Sequence, residues 1–219
     1  MNISTQLSLL YQQLVQFDLL LALQSDKLRL ELCDIHLIAE LHAVLFNKQL
    51  RQPVSNNQLF ISFDEQLLSE VKIDPYLFQQ LVDSFIDIAI ADCSNTQLHL
   101  QVQLQDKSVG QQLVYFSARV KIKSQNVLPV LVTELLRTQS TQITTSPPVE
   151  VFSLLLTKQH GENVAAQLVD DGYHLSFELP LAVTMAGNNT DEISLNNSKI
   201  VLLANNDILA EIIEKAVFL

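Results

Sequence analysis

The stretch from Asp74 to Cys93, DPYLFQQLVDSFIDIAIADC, constrains the fold more than any other part of the chain. Asp74 is a suitable N-cap, and Pro75 follows at the first helical position, where a missing N–H costs nothing. Apolar residues then recur at helical spacing and form a broad face. These residues are Leu77, Phe78, Leu81, Val82, Phe85, Ile86 and Ala89. Because so wide a face must be buried, the sequence predicts a core helix that lies on a sheet.

Two later pairs of segments are predicted to be strands, because three of the four segments, 98–104, 114–122 and 173–179, alternate apolar and polar residues as strands with one buried face do. Residues 98–104 and 114–122 form the first pair, and residues 164–169 and 173–179 form the second. A short polar turn separates the two segments of each pair. The pattern therefore predicts two antiparallel hairpins beside the core helix.

The remaining elements are predicted from apolar spacing and from N-cap and proline signals. Helices are expected over residues 5–23, 34–47 with Asp34 as N-cap, 128–138, and 149–158 after Pro147-Pro148; a strand is expected over residues 59–63, a strand or extended lead-in over residues 27–32, and loops over residues 52–57 and 139–146. Helices and antiparallel strands in this order indicate an α+β fold.

The composition suits one medium domain with additional segments, since the chain has 219 residues and is 48% apolar. A net charge of −11 opposes binding to nucleic acids and to anionic membranes. No apolar run is long enough to span a bilayer, and the first 26 residues contain no Lys or Arg, so no signal peptide is expected. Cys33 and Cys93 match no metal-binding spacing and are predicted to be buried, reduced thiols of a cytoplasmic protein.

The core helix resembles the N-box helix of sensor histidine kinases, which belong to the GHKL (Bergerat-fold) ATPase family. Asp74-Pro75 opens it, and Ile88-Ala89-Ile90 stands where that family has an Asn-Ala-Ile type sequence. The segment SFELPL at 176–181 resembles the strand that ends most kinase ATPase domains. The resemblance implies a two-layer α/β sandwich of Bergerat type, with a mixed, mainly antiparallel sheet, helices on one face, and a preceding helix of a dimerisation hairpin.

The resemblance also implies a division of the chain into four parts. Residues 1–30 are similar to part of a dimerisation and phosphotransfer hairpin, and residues 31–182 to a histidine kinase ATPase domain. Residues 183–198 are expected to form a polar linker. Residues 199–219 resemble the first strand and helix of a receiver domain; since such a unit cannot bury its own strand, this end of the sequence is interpreted as a truncated receiver-like domain.

The residues that carry nucleotide chemistry in the family are replaced here. Ile88 stands at the position of the magnesium-binding Asn, and Ser84 replaces an Asn one turn earlier. Arg119 aligns with the Asp that reads the adenine amino group, while Lys121 and Lys123 align with two glycines. These three cations form either a polar, solvated strand face or, less simply, a new phosphate grip. The site is therefore predicted to be degenerate.

Glycines let backbone N–H groups approach a phosphate closely, and this chain has only four. Gly110 and Gly172 are predicted in hairpin turns, Gly161 at the C′ position after a helix, and Gly187 in the linker. None remains for a phosphate-binding loop. The sequence thus predicts neither ATP binding nor any other cofactor.

No other set of residues predicts a catalytic or metal site. His36 and His42 are six residues apart on a predicted helix, so they do not share a face, and exposed or core-edge histidines are the simpler interpretation. In the receiver-like segment, the acidic pair that would bind magnesium falls on Ala204 and Asn205. Asp207 is interpreted as a helix N-cap.

The resemblance implies a non-catalytic, pseudokinase-like scaffold of a hybrid two-component or phosphorelay protein. Its expected partners are kinase domains, receiver domains or its own dimer mate, bound through the apolar N-terminal helix. One alternative is a histidine phosphotransferase-like relay protein whose His-bearing helix lies outside this chain. Two others are an active kinase with unorthodox nucleotide contacts and an unrelated α+β interaction module.

Overall fold

The computed structural model describes residues 14, 17–25, 28–51, 57–91, 93, 95–122, 128–141 and 146–184. Its helices are α1 (described over residues 17–24), α2 (Leu37–Arg51), α3 (Pro75–Ala89), α4 (Val130–Thr141) and α5 (Pro147–Lys158). Its strands are β1 (Cys33–His36), β2 (Gln58–Phe63), β3 (Glu70–Ile73), β4 (Gln97–Ser108), β5 (Gln111–Lys121), β6 (Glu162–Val169) and β7 (Gly172–Val183). The predicted core helix corresponds to α3, and the two predicted hairpins are β4–β5 and β6–β7.

The described strands form a single sheet in the order β1-β3-β7-β5-β4-β2, and β6 pairs with the part of β7 that β3 leaves free. All neighbouring strands are antiparallel except β2 and β4, which are parallel. Alternate residues of β4, β5 and β7 face the helices and are fully or almost fully buried. The two-layer α+β fold with a mixed, mainly antiparallel sheet is therefore confirmed.

Aromatic rings connect the helix layer to the sheet. Phe85 of α3 lies edge-on to Phe177 of β7, with ring centroids 4.8 Å apart, and stacks against Phe152 of α5 at 5.8 Å. Phe177 in turn stacks on Phe116 of β5 at 4.8 Å. All four side chains are fully buried, so the apolar face predicted for α3 packs on the centre of the sheet.

Asp74 caps α3 as predicted and also holds the preceding segment in place. One carboxylate oxygen accepts a hydrogen bond from the Leu77 N–H at 3.0 Å, and the other accepts one from the Glu31 N–H at 2.9 Å. The side chain is itself buried. Asp74 therefore ties the lead-in to β1 to the start of the core helix.

The prediction that Asp34 caps the second helix is wrong. Residues 33–36 form β1, which pairs with β3, and α2 starts only at Leu37. The residue before it, His36, accepts a hydrogen bond from the Ala39 N–H through Nδ1 at 3.3 Å. The ring nitrogen of His36 thus performs the capping that was expected of Asp34. Strand β3, which is only four residues long, was also not predicted.

The C-terminal end of α5 differs from the prediction by one residue. His160, not Gly161, takes the left-handed conformation, with φ of 61°. The His160 N–H donates to the Thr157 carbonyl at 3.1 Å, and the Gly161 N–H donates to the Leu156 carbonyl at 2.8 Å. This pair of bonds is a Schellman motif, in which Gly161 occupies C″. A Cβ there would lie 2.9 Å from the Glu178 carbonyl oxygen, so the glycine is needed for close packing.

Several predicted boundaries change: α2 ends at Arg51 and not near residue 47, and β4 continues to Ser108. Helix α4 extends to Thr141, into the segment predicted to be a loop, and β7 extends to Val183, one residue beyond the predicted end of the ATPase-like domain. The extra residues of β7 are paired with Val71 and Lys72 of β3. Of the other assigned parts, most of residues 1–16 and all of residues 185–219 lie outside the described residues.

Candidate functional site

The last two turns of α3 hold the positions at which the family has its asparagines. Ser84 and Ile88 are both buried, and Ile88 has no exposed surface. Ile88 offers no atom that could bind a cation, because its side chain is a hydrocarbon. These two positions of α3 therefore belong to the buried core.

A tyrosine from the sheet closes the space beside this helix end. Tyr173, the second residue of β7, lies directly opposite Val120 of β5 and is 1% exposed. Its phenol donates a hydrogen bond to the carbonyl oxygen of Ala89, the residue after Ile88. The ring therefore spans from the sheet to the C-terminal turn of α3.

The Tyr173 phenol is held as a neutral donor. Burial raises its pKa far above the ordinary value of a tyrosine, and the neighbouring Cys93 thiol raises it further. A protonated phenol can donate to the Ala89 carbonyl, one of the last carbonyls of α3, which lacks an intrahelical partner. The contact thus stabilises both the ring position and the end of the helix.

Arg119 and Lys121 lie on the opposite face of the sheet from Ile88. Along β5, the buried residue that faces the helices is Val120, while Arg119 pairs across strands with His99 of β4 and His174 of β7. The structure consequently does not bring the predicted site residues together. Lys123 lies outside the described residues.

On that face, which none of the described helices covers (the helix-free face), Asp171 binds both Arg119 and Lys121. Its carboxylate is 3.2 Å from Arg119 Nη2 and 3.8 Å from Lys121 Nζ. All three side chains are partly exposed, so each pair contributes little to stability. An anionic phosphate at Arg119 would lie beside this carboxylate and be repelled by it, which argues against the phosphate-grip interpretation.

His174 makes the helix-free face sensitive to pH. Burial lowers its pKa, the Arg119 guanidinium lowers it further, and Asp171 acts in the opposite direction. Its folded pKa is thus below the unfolded value of about 6.5. The neutral ring contributes stability that is complete above about pH 6.5 and is lost as the pH falls towards the folded pKa.

We therefore expect the free energy of unfolding to fall on acidification from about pH 7 to pH 5, and H174Q to weaken this dependence. Urea denaturation of both proteins at several pH values in that range measures the difference between the two slopes. Equal slopes of unfolding free energy against pH in the two proteins would contradict the role assigned to His174. The other titrating groups are common to both proteins, so their contributions cancel in the difference.

The remaining candidates are dispersed. His36 and His42 are exposed, which agrees with their interpretation as exposed or core-edge histidines. The ring of His42 contacts the ring of Phe63. The residues that the structure describes contain no group of three or more His, Cys, Asp or Glu side chains placed to bind a metal. Cys33 is exposed on the edge strand β1 and Cys93 is only partly buried, so the prediction that both thiols are buried is wrong.

The glycines that the structure describes serve turns and close packing. Gly110 lies in the β4–β5 turn as predicted, Gly172 is the first residue of β7 directly after the β6–β7 turn, and Gly161 follows α5; Gly110 and Gly172 have positive φ. Gly187, Ala204, Asn205 and Asp207 lie outside the described residues. None of these three described glycines belongs to a phosphate-binding loop, and none is close to Ile88 in the sequence.

The roles of Tyr173 and Asp171 are not evident from the sequence. Tyr173 was predicted to be a buried strand residue, but alternation does not indicate that its hydroxyl reaches α3. Asp171 was placed in a turn, and only the strand register shows that this turn lies beside Arg119. The signal available in the sequence was an Asp-Gly turn in one predicted hairpin and a strand bearing Arg119 and Lys121 in the other.

An open mixed sheet with its helices on one face, and a long core helix started by Asp-Pro, defines the fold of histidine kinase ATPase domains. No model of a known protein family matches the sequence, and no curated protein matches it significantly. Solved structures do match. The histidine kinase AdeS of Acinetobacter baumannii superposes with a TM-score of 0.52 at 13% identity, over 81% of this chain and 80% of AdeS.

Two larger histidine kinase structures match in part. Full-length ShkA, determined with AMPPNP, gives a TM-score of 0.55 at 16% identity, over 77% of this chain and 35% of ShkA. ThkA, determined with the response regulator TrrA, gives 0.52 at 17% identity, over 82% of this chain and 51% of that structure's chain. At these identities the match establishes the fold, which this chain shares with histidine kinase ATPase domains.

The helices in the described part of the chain are all too short or too polar to cross a membrane.

Proposed function

We propose that this chain is a kinase-fold signalling domain that works by binding other proteins and does not bind ATP. The observation that supports this most strongly is the Tyr173 phenol, which reaches from the sheet to the Ala89 carbonyl beside Ile88. A nucleotide between the sheet and this end of α3 would have to displace a fully buried ring. It would then meet Ile88, whose side chain supplies no ligand for magnesium.

The charges of the chain point the same way. ATP with magnesium is held in proteins by carboxylate or amide oxygens on the metal and by cations or free N–H groups on the phosphates. Arg119 and Lys121 face away from α3 and are paired with Asp171. The net charge of −11 adds a general repulsion of a polyanion.

The proposed partner surface is the outer face of α1. Leu19, Leu20 and Leu23 are buried against the domain, and Gln24 donates a hydrogen bond to Glu150 of α5 at 2.7 Å. On the other side, Leu14, Phe17 and Leu21 are about half exposed at helical spacing. An apolar stripe on a helix that is already packed suits a second helix, either from the dimer mate or from a kinase or receiver domain. ThkA, which shares the fold, was determined with a response regulator.

Titration with ATP and magnesium tests the proposal directly. We expect no saturable heat up to millimolar nucleotide at either of two temperatures, and no change in the melting temperature. Two temperatures are needed because a binding enthalpy can pass through zero at one of them. A circular dichroism spectrum of the same sample shows that the chain is folded. Saturable binding below about 1 mM, worth roughly 4 kcal/mol, would contradict the proposal.

A further inference from the structure

The strand β2 forms one edge of the sheet and is unusual for an edge. It pairs with β4 on one side, and no described strand pairs with its other side. Its sequence, QLFISF, contains no charged residue and no proline. Edge strands of monomeric proteins are normally protected by such residues, by bulges or by a cover. An uncharged, regular edge is suited to pairing with another strand.

The register shows which backbone groups face this free edge. The Gln58 N–H donates to Thr96 and the Asp64 N–H donates to Val102, so the even-numbered residues point towards β4. Because strand residues alternate, the N–H and C=O groups of Leu59, Ile61 and Phe63 point outward. Three consecutive outward residues are enough to form a short antiparallel ladder.

An exposed apolar stripe on α2 lies next to this edge. Ala39, Ala43, Phe46 and Leu50 are all exposed, with Phe46 at 64% and Leu50 at 63%. Their spacing of four, three and four residues is that of a coiled-coil seam. The buried face of α2 is formed by other residues, among them Leu37, Leu41, Val44 and Leu45. The helix therefore has a second apolar face that the described part of the chain leaves uncovered.

The stripe and the free edge point to the same side of the molecule. Lys48, on the flank of α2 that meets α3, is buried and bound to Asp83 at 2.9 Å and Asp87 at 2.6 Å. Phe46 is two residues from Lys48 and so lies about 160° around the helix, on the flank opposite α3. The contact between His42 and Phe63 places α2 over β2.

We infer that a second copy of this chain pairs here about a twofold axis, β2 with β2 and α2 with α2. Antiparallel β2 strands would continue the sheet across the two copies, and the two α2 helices would meet on the same face. In that arrangement the alanine half of each stripe lies against the Phe46 and Leu50 half of its mate, so that large side chains meet small ones. A twofold axis makes each of these contacts occur twice.

The net charge of the chain and the area of the interface both favour a second copy as the partner. The area also requires that β2 and α2 take part together. A chain with a net charge of −11 repels its own copies, and it can approach itself most easily where charge is missing. Neither β2 nor residues 41–47 of α2 contain Asp, Glu, Lys or Arg. A stable interface buries about 800 Å² per partner. One phenylalanine supplies about 150–250 Å², so the helix stripe needs the strand edge to reach that range.

Sedimentation velocity of the full chain over a range of concentrations tests the inference. We expect a reversible dimer that F46E weakens at least tenfold, while V130E, at an exposed apolar residue of α4, leaves it unchanged. A43K should weaken it as well. A mixture of A43K and F46E should restore dimers, because the antiparallel pairing brings the new lysine against the new glutamate. Hydrogen exchange should show protection within residues 58–63 that rises with protein concentration.

The α1 stripe is tested separately with L21E. A dimer that survives L21E and is lost in F46E supports the α2–β2 interface independently of the function proposed above. A dimer lost only in L21E, or a monomer at every concentration, would overturn the inference. Failure of the A43K and F46E mixture to restore dimers, with both single variants weakened, would overturn the antiparallel arrangement.

Discussion

Replacing Gly172 with alanine is expected to destabilise the fold by about 3 kcal/mol or more. The residue has a φ of 153°, which side chains rarely adopt, and it begins β7 directly opposite Lys121. A Cβ at this position would lie 1.9 Å from the carbonyl oxygen of Val120. That oxygen belongs to the backbone of a central strand, so it cannot move aside as a flexible side chain would. The β5–β7 pairing itself would have to shift.

Gly110→Ala is the matched control for Gly172→Ala. Gly110 also has a positive φ, 74°, but a Cβ there would meet nothing within 4 Å. Its alanine variant should lose only the conformational preference of glycine, about 1–2 kcal/mol. Urea denaturation of the three proteins gives the two changes in unfolding free energy. Equal losses in the two variants would show that conformation, and not the contact with Val120, determines the need for glycine at 172.

The fold could be predicted from patterns that act over a few residues. Alternation in β4, β5 and β7, the Asp74-Pro75 start of α3 and the two hairpin turns are local signals, and the structure agrees with each. The errors occurred where a contact distant in sequence decided the local structure. Residues 33–36 became a strand because they pair with β3, and His36 then took over the N-cap of α2.

The candidate site was less predictable because it depends on which face of the sheet a residue occupies. Matching motif positions along the chain placed Arg119 opposite the adenine, but alternation from the buried residue Val120 puts Arg119 on the helix-free face. The strand period in the sequence already favours this placement, since it puts Arg119, Lys121 and Lys123 together on the polar face. The hydrogen bond from Tyr173 to Ala89 joins residues 84 positions apart, and no local pattern contains it.

Tyr173→Ala is expected to cost about 3–5 kcal/mol of unfolding free energy, the usual loss for removing a fully buried aromatic ring. The ring is 1% exposed and lies between Val120 and the end of α3, so its removal leaves a cavity that the surrounding strands cannot easily fill. Tyr173→Phe keeps the ring but removes the donor to Ala89, and should cost about 1–3 kcal/mol. Tyr76→Ala, at a tyrosine that is 50% exposed, is the control and should change stability by less than about 0.5 kcal/mol.

The same variant separates the two reasons given for the absence of ATP binding. If the Tyr173 ring alone excludes nucleotide, Tyr173→Ala should bind ATP with magnesium once its fold is confirmed by circular dichroism. We expect no binding, because Ile88 has no side-chain atom to coordinate magnesium and the chain has no glycine-rich loop to hold the phosphates. Saturable binding by Tyr173→Ala would show that the chemistry of the site survives behind the ring. If neither the unmodified chain nor Tyr173→Ala binds ATP, the loss of nucleotide binding is explained by the residues of α3 and β5 and not by the ring.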